Sequence, residues 1–222
     1  MRGMSWDRFQ SLLLNATGET LYMVALAALF TLLIGLPVGV LLFITRADGI
    51  WPQRAIAQPL NLLVNIGRAL PFIILLIALI PFTRLLIGTT LGSTAAVVPI
   101  TLGAFPFFAR IVENALAEVD RGRIEAVIAM GGTQWHLVSR VLLPEALPAL
   151  IGGMTLTLVM LIGFSAMAGV IGGGGLGDLA IRYGYQRFNN TMMIATVIVL
   201  LLLVWAVQKL GDYVVHRLAH RR

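Results

Sequence analysis

The chain has 222 residues, of which 59% are hydrophobic and 12% charged, and its mean hydropathy is +0.92. A soluble globular domain carries roughly 25% charged residues, so this composition describes an integral membrane protein. The net charge of +6 comes mainly from arginine, and in a membrane chain such an excess sets topology rather than binding nucleic acid. There is no cysteine, which excludes disulfides and thiolate chemistry.

Uncharged runs predict the elements in chain order. A mixed-charge segment with Arg2, Asp7, Arg8 and Glu19 precedes an apolar run over residues 20–45. As helix that run would extend about 39 Å against a hydrocarbon core of about 30 Å, so it spans with tilt or kinks, for which Gly35, Pro37 and Gly39 are the weak points. It is too long for the apolar core of a cleaved signal peptide and is expected to stay in the mature chain. The second run, 56–82, is interrupted by Arg68, Pro59, Pro71 and Pro81; its first half is expected at the interface or against other protein, its second half in the membrane. A third span, 94–112, follows a loop from Gly88 to Ser93 and should be bent by Pro99 and Pro106. Spans four and five cover 146–171 and 188–208. The expected architecture is all-α: one polytopic transmembrane domain over residues 1–222, with five helices and a coupling region at 113–145.

An odd number of spans puts the termini on opposite sides. With the stretch from Arg110 to Glu145 in the cytoplasm, the cytoplasmic basic set is Arg46, Arg54, Arg110, Arg121, Arg123, Arg140, Lys209, Arg217, Arg221 and Arg222. The external set is Arg2, Arg8, Arg84, Arg182 and Arg187, with Arg68 inside a span. Ten against five favours an external N-terminus and a cytoplasmic C-terminus.

The stretch from Arg110 to Glu145 is the long charged segment of an otherwise apolar chain. Within it, Arg123 to Met130 reads as a short helix with Ile124, Val127 and Ile128 on one side. Gly131 and Gly132 stop it, because glycine tolerates the left-handed conformation at a helix C-terminus. Thr133 can cap a second helix that gathers Trp135, Val138, Val141 and Leu142 on one face, and Pro144 and Pro148 bracket the return into span four. Periodicity leaves two readings open, a hairpin resting on lipid headgroups and a surface that meets another protein.

The identity of these residues adds a resemblance. Glu125-Ala126-Val127, three residues, Gly131, nine residues, then Val141-Leu142-Leu143-Pro144 is similar to the signature of membrane-spanning subunits of bacterial ABC importers, with Val127 and Val141 as apolar departures. Glu113-Asn-Ala-Leu, Val141 to Pro148, Gly163-Phe-Ser-Ala-Met-Ala-Gly169, Gly172 to Asp178 and Tyr183-Gly-Tyr185 resemble the methionine importer permease family more closely, as do Leu70 to Leu76 and Ile80 to Arg84. The resemblance implies the type I importer permease fold in the bacterial inner membrane. It implies a homodimer with two cytoplasmic ATPase subunits that hold ATP and magnesium, and a methionine-binding lipoprotein outside. The helix from about Gly122 to Met130 would dock into the ATPase, with Arg123, Glu125, Ala126, Met130, Gly131, Gly132, Leu143 and Pro144 as the coupling residues. Importers of another amino acid, an osmoprotectant or a phosphonate are the alternatives within this class.

Other features have competing readings. Gly172 to Gly177 satisfies G-x-G-x-x-G, but an apolar span precedes it rather than a strand, so dinucleotide binding is excluded. Gly172, Gly174, Gly175 and Gly177 form either a flexible external turn or a moving gate. Asp178, Arg182, Tyr183, Tyr185 and Arg187 form a loop suited to receiving a binding protein. Arg68, followed by Pro71, either snorkels at the cytoplasmic boundary or lies near the path. Met160, Ser165 and Met167 are further path candidates. His136, His216 and His220 lack metal-ligand spacing, Ser165 lacks the surroundings of a nucleophile, and no metal site is expected. An intramembrane enzyme is the reading from a different class; it would need paired carboxylates, a His-Glu metal motif or a Ser-His dyad at membrane depth, and no such set is visible in the sequence.

Overall fold

Ser5 opens the first helix by accepting the Arg8 N–H with its hydroxyl, and Asp7 lies in the first turn. In the computed structural model, which describes residues 5–219, this helix α1 runs over Trp6–Thr45. It therefore starts 14 residues before the expected span, because Glu19 and the charges before it ride on the helix instead of ending it. The helix also continues through Pro37. Gly35 and Gly39 are not weak points but a contact surface: a Cβ at Gly39 would lie 2.5 Å from the Ala109 carbonyl oxygen, and one at Gly35 would lie 2.9 Å from the Phe108 ring. Two bare positions four residues apart let α1 lie directly against α5 (Ser93–Ala117), the usual solution where lipid supplies no hydrophobic drive for association.

The second expected span is broken. α2 (Arg54–Ala69) ends at Leu70 and Pro71, and α3 (Phe72–Ala78) leaves at 108° to it, followed by α4 (Ile80–Ile87). The proline supplies no N–H for another helical turn, and its predecessor is pushed to extended backbone, ψ 130° at Leu70. α5 begins at Ser93, one residue before its expected start, continues through Pro99 and Pro106, and extends to Ala117, five residues past its expected end.

After α6 (Arg121–Ala129), α7 (Gln134–Leu137) passes through one π-helical turn, Val138–Leu142, into α8 (Leu143–Val170). Pro144 lacks the N–H for the i−4 bond, and the wider turn absorbs this by bonding the Leu143 N–H to the Val138 carbonyl. Span four is thus the upper part of a helix that begins at residue 134. α9 (Gly175–Leu179), a second π-helical turn at Ala180–Tyr185, and α10 (Asn190–Ala219) complete the chain. Arg2, His220, Arg221 and Arg222 lie outside the described residues.

Among the described residues, four helices are long and apolar enough to cross a membrane, and the bent pair α2 and α3 makes up to five. One core joins Met23, Ala27, Phe72, Leu76, Ile100, Ala104 and Leu161 in the middle of the bundle. A second joins Phe43, Phe108, Val112, Leu116, Leu137 and Leu142, and ties the α6–α7 hairpin to the end of the bundle.

Candidate functional site

The hairpin that follows α5 is built by local chemistry. Asp120 accepts the Arg123 N–H at 3.2 Å and starts α6. Gly131, at φ 77°, takes the left-handed turn that ends it. The Gly132 N–H donates to the Val127 carbonyl at 2.9 Å. Thr133 caps α7 by accepting the His136 N–H at 3.3 Å. The expected apolar face needs one correction: Leu137 and Leu142 are buried, whereas Trp135 is 76% exposed and points away from the core.

Ile124 and Val127 pack on the second core, so α6 is held against the bundle by one edge. Its remaining side chains face outward: Glu125 and Ala126 are exposed, and Ile128 and Met130 are exposed at 54% and 77%. Arg123 pairs with Glu145 at the start of α8. Asp48, in the loop after α1, pairs with Arg46 at 3.1 Å and reaches Arg121 at 3.7 Å. These pairs are solvent-screened and orient the hairpin more than they stabilise it. Glu125 lies along a groove of about 210 Å3 between α6 and the ends of α1 and α5. Leu143 is half-buried and Pro144 stands at the first turns of α8. Together these residues form a knob carrying exposed apolar side chains and the Glu125 carboxylate, a pattern found where a surface meets protein or membrane.

At the other end of α8, the glycine-rich segment is packed into the bundle rather than exposed. Gly172, Gly174 and Gly175 take φ of 86°, 79° and 73°, and the chain folds back so that every residue of α9 is buried. Gly169 and Gly177 allow this close return, since a Cβ at Gly169 would sit 2.2 Å from the Asp178 nitrogen. α1 caps the re-entrant turn: Glu19 accepts the Gly175 N–H at 2.6 Å and Thr20 accepts the Leu176 N–H at 2.9 Å. Asp178 is also buried and pairs with Arg182. The hydrogen bond that Arg182 donates to Asp178 is the main reason its guanidinium is held above its ordinary pKa. Of the loop residues expected at the surface, Tyr183 is buried under Arg187, whereas Tyr185 remains 68% exposed beside Phe188 at 84%.

The path candidates are scattered. Ser165 is 1% exposed and donates to the Ile162 carbonyl at 2.7 Å. Met160 packs against the central core, while Met167 is 46% exposed. Arg68 is exposed at the last turn of α2, its guanidinium 5.6 Å from the centre of the Phe107 ring, and Pro71 is exposed at the break.

Sequence reading missed a polar arrangement on α2 and α5. Arg110, expected at the start of the solvent-facing stretch, lies within α5 with its side chain only 20% exposed. It pairs with Glu113 and donates to Asn61 at 3.1 Å and Asn65 at 2.9 Å. The signal was present: Arg54, Gln58, Asn61, Asn65 and Arg68 recur at spacings of four and three, which places them on one helix face.

Comparison with known proteins fits this geometry. Residues 35–221 match the family described as binding-protein-dependent transport system inner membrane component. A probable D-methionine transport system permease protein, MetI, of Vibrio cholerae is 50% identical over 210 residues, 95% of this chain and 93% of that one. The methionine import system permease protein MetP of Bacillus subtilis is 44% identical over 90% of each chain. Among solved structures, a chain of the MetNI methionine ABC transporter in an inward-facing conformation superposes with a TM-score of 0.94 at 47% identity, covering 97% of this chain and 99% of that one. A chain of an amino-acid ABC transporter with histidines superposes with a TM-score of 0.80 at 19% identity, a likeness of fold.

Proposed function

Because this chain belongs to the family of binding-protein-dependent transport system inner membrane components, we propose that it is the membrane-spanning subunit of an ATP-driven methionine importer. It is a transport component rather than an enzyme. The observation that carries the cargo is the half identity, over almost the whole length, to permeases named for methionine. The chain of the amino-acid ABC transporter with histidines shares the fold at only 19% identity.

In this reading two copies form the path and two cytoplasmic ATPase subunits bind and hydrolyse ATP with magnesium, while an extracytoplasmic lipoprotein delivers methionine. The N-terminus lies outside and the C-terminus inside the bacterial inner membrane. The outward face of α6, with Arg123, Glu125, Ala126 and Met130 before Gly131 and Gly132, seats in the ATPase. Leu143 and Pro144 carry its motion into α8, to which Arg123 is already tied through Glu145. The α9 hairpin with Asp178 and Arg182 forms the outer closure, and exposed Tyr185 meets the binding protein. Arg68 and Pro71 stand beside the path, with Met160, Ser165 and Met167 of α8 behind it. Lipid covers the apolar notch of about 480 Å3 between α1, α4 and α5, whose walls include Phe30, Phe82 and Val97.

Vesicles containing this chain, the ATPase and the binding protein should accumulate labelled L-methionine only with ATP, and unlabelled methionine should compete. ATP-dependent uptake that another amino acid, an osmoprotectant or a phosphonate displaces better would reassign the cargo.

A further inference from the structure

We propose that the broken helix α2–α3 carries a substrate subsite on this chain, in which Arg68 takes the carboxylate of an amino acid and the aromatic cavity beside it takes an apolar side chain. The inference rests on the methionine-importer reading and adds a binding site to it.

The first support is the polar face of α2. Ala57, Leu60, Val64 and Gly67 turn toward the bundle, Asn61 meets Arg110, and a Cβ at Gly67 would lie 2.6 Å from Pro106. α2 therefore climbs from the α6 end of α5 to its middle. Along the way Arg54, Gln58, Asn65 and Arg68 stay exposed in the single chain. Charged and amide side chains at such depth face a water-filled cavity or the bundle interior rather than lipid, so this face lines an aqueous route that ends at Arg68.

The second support is the difference between the two arginines. Arg110 is committed to Glu113, Asn61 and Asn65. Arg68 has no hydrogen bond or ion pair among the described residues and rests over the Phe107 ring. Its five donors are free for a carboxylate.

The third support is the cavity that Phe107 shares. It measures about 130 Å3 and is walled by Phe72, Phe107 and Phe164, with Gly67 and Gly103 leaving it open. Phe72 and Phe164 stack at 3.8 Å with their planes 2° apart, which makes a flat aromatic wall. The space admits a side chain rather than a whole amino acid, and a thioether is well suited to ring contacts. The head group would then remain at the rim. There the Gly67 carbonyl has lost its regular donor because residue 71 is proline, and it can accept from the cargo's ammonium while Arg68 binds its carboxylate. Broken helices in transporters present free backbone groups to cargo in this way.

The test is equilibrium binding of labelled L-methionine to the permease–ATPase complex in lipid nanodiscs without the binding protein, with vesicle uptake measured in parallel. Arg68→Gln should weaken binding about tenfold or more, as for loss of a charge-assisted contact, and Arg68→Lys should recover part of it. Phe107→Ala should enlarge the cavity and let phenylalanine displace methionine at concentrations about tenfold lower than in the unsubstituted complex, a gain that misfolding does not produce. Should Arg68→Gln fail to assemble, the Phe107→Ala preference decides. Normal methionine uptake with no binding to the unsubstituted complex, or with binding and preference unchanged in these variants, overturns the subsite alone. Absence of ATP-dependent methionine uptake by the unsubstituted complex overturns the importer reading, and the subsite with it.

Discussion

Glu125→Lys is expected to abolish methionine uptake and co-purification with the ATPase while leaving insertion and folding intact. Glu125 is exposed and lies along an open groove, so its replacement should change stability by no more than about 0.5 kcal/mol. Reversal places a cation where an ATPase contact would have accommodated a carboxylate, and like-charge or unpaired contacts at an interface cost several kcal/mol. Uptake and pull-down from the same membranes measure the two effects. Wild-type uptake in the variant would remove α6 from the coupling role.

The other large effect is on folding. In Gly177→Ala the new Cβ would lie 2.1 Å from the Ala166 carbonyl oxygen and 2.6 Å from the Ala166 Cα. Both are backbone atoms of α8 and cannot rotate away. Relief requires the α9 hairpin to leave its buried seat, at an expected cost above about 3 kcal/mol. The variant should show a lowered unfolding midpoint in detergent and faster amide exchange at Gly175 and Leu176, whose N–H groups now bond to Glu19 and Thr20. Gly18→Ala is the control: nothing lies within 4 Å of its Cβ, and the helix interior should gain about 0.5–1 kcal/mol from the change. Equal behaviour of the two variants would contradict the packing described for α9.

These two regions differ in how far sequence reveals them. The α6–α7 hairpin was legible because its signals are local: Asp120 and Thr133 cap helices within three residues, and Gly131 supplies the turn. The α9 hairpin was not, because its partners Glu19 and Thr20 lie 156 residues away, and a run of glycines looks the same whether it is loose or tightly packed. Uncharged runs likewise stop at Glu19 and near Lys209, although α1 and α10 both carry their charges onward. The same criterion treated Arg68 as an isolated anomaly. Helical recurrence of polar residues joins it to Asn65, Asn61, Gln58 and Arg54.

The absence of native cysteine allows the central claim, that the outward face of α6 is where the ATPase acts, to be measured at one atom. Met130→Cys places a single thiol on a side chain that is 77% exposed in the permease. A membrane-impermeant maleimide should label it readily from the cytoplasmic side in permease alone, and several-fold more slowly once the ATPase is bound. Labelling at the same rate with and without a bound ATPase would contradict the account.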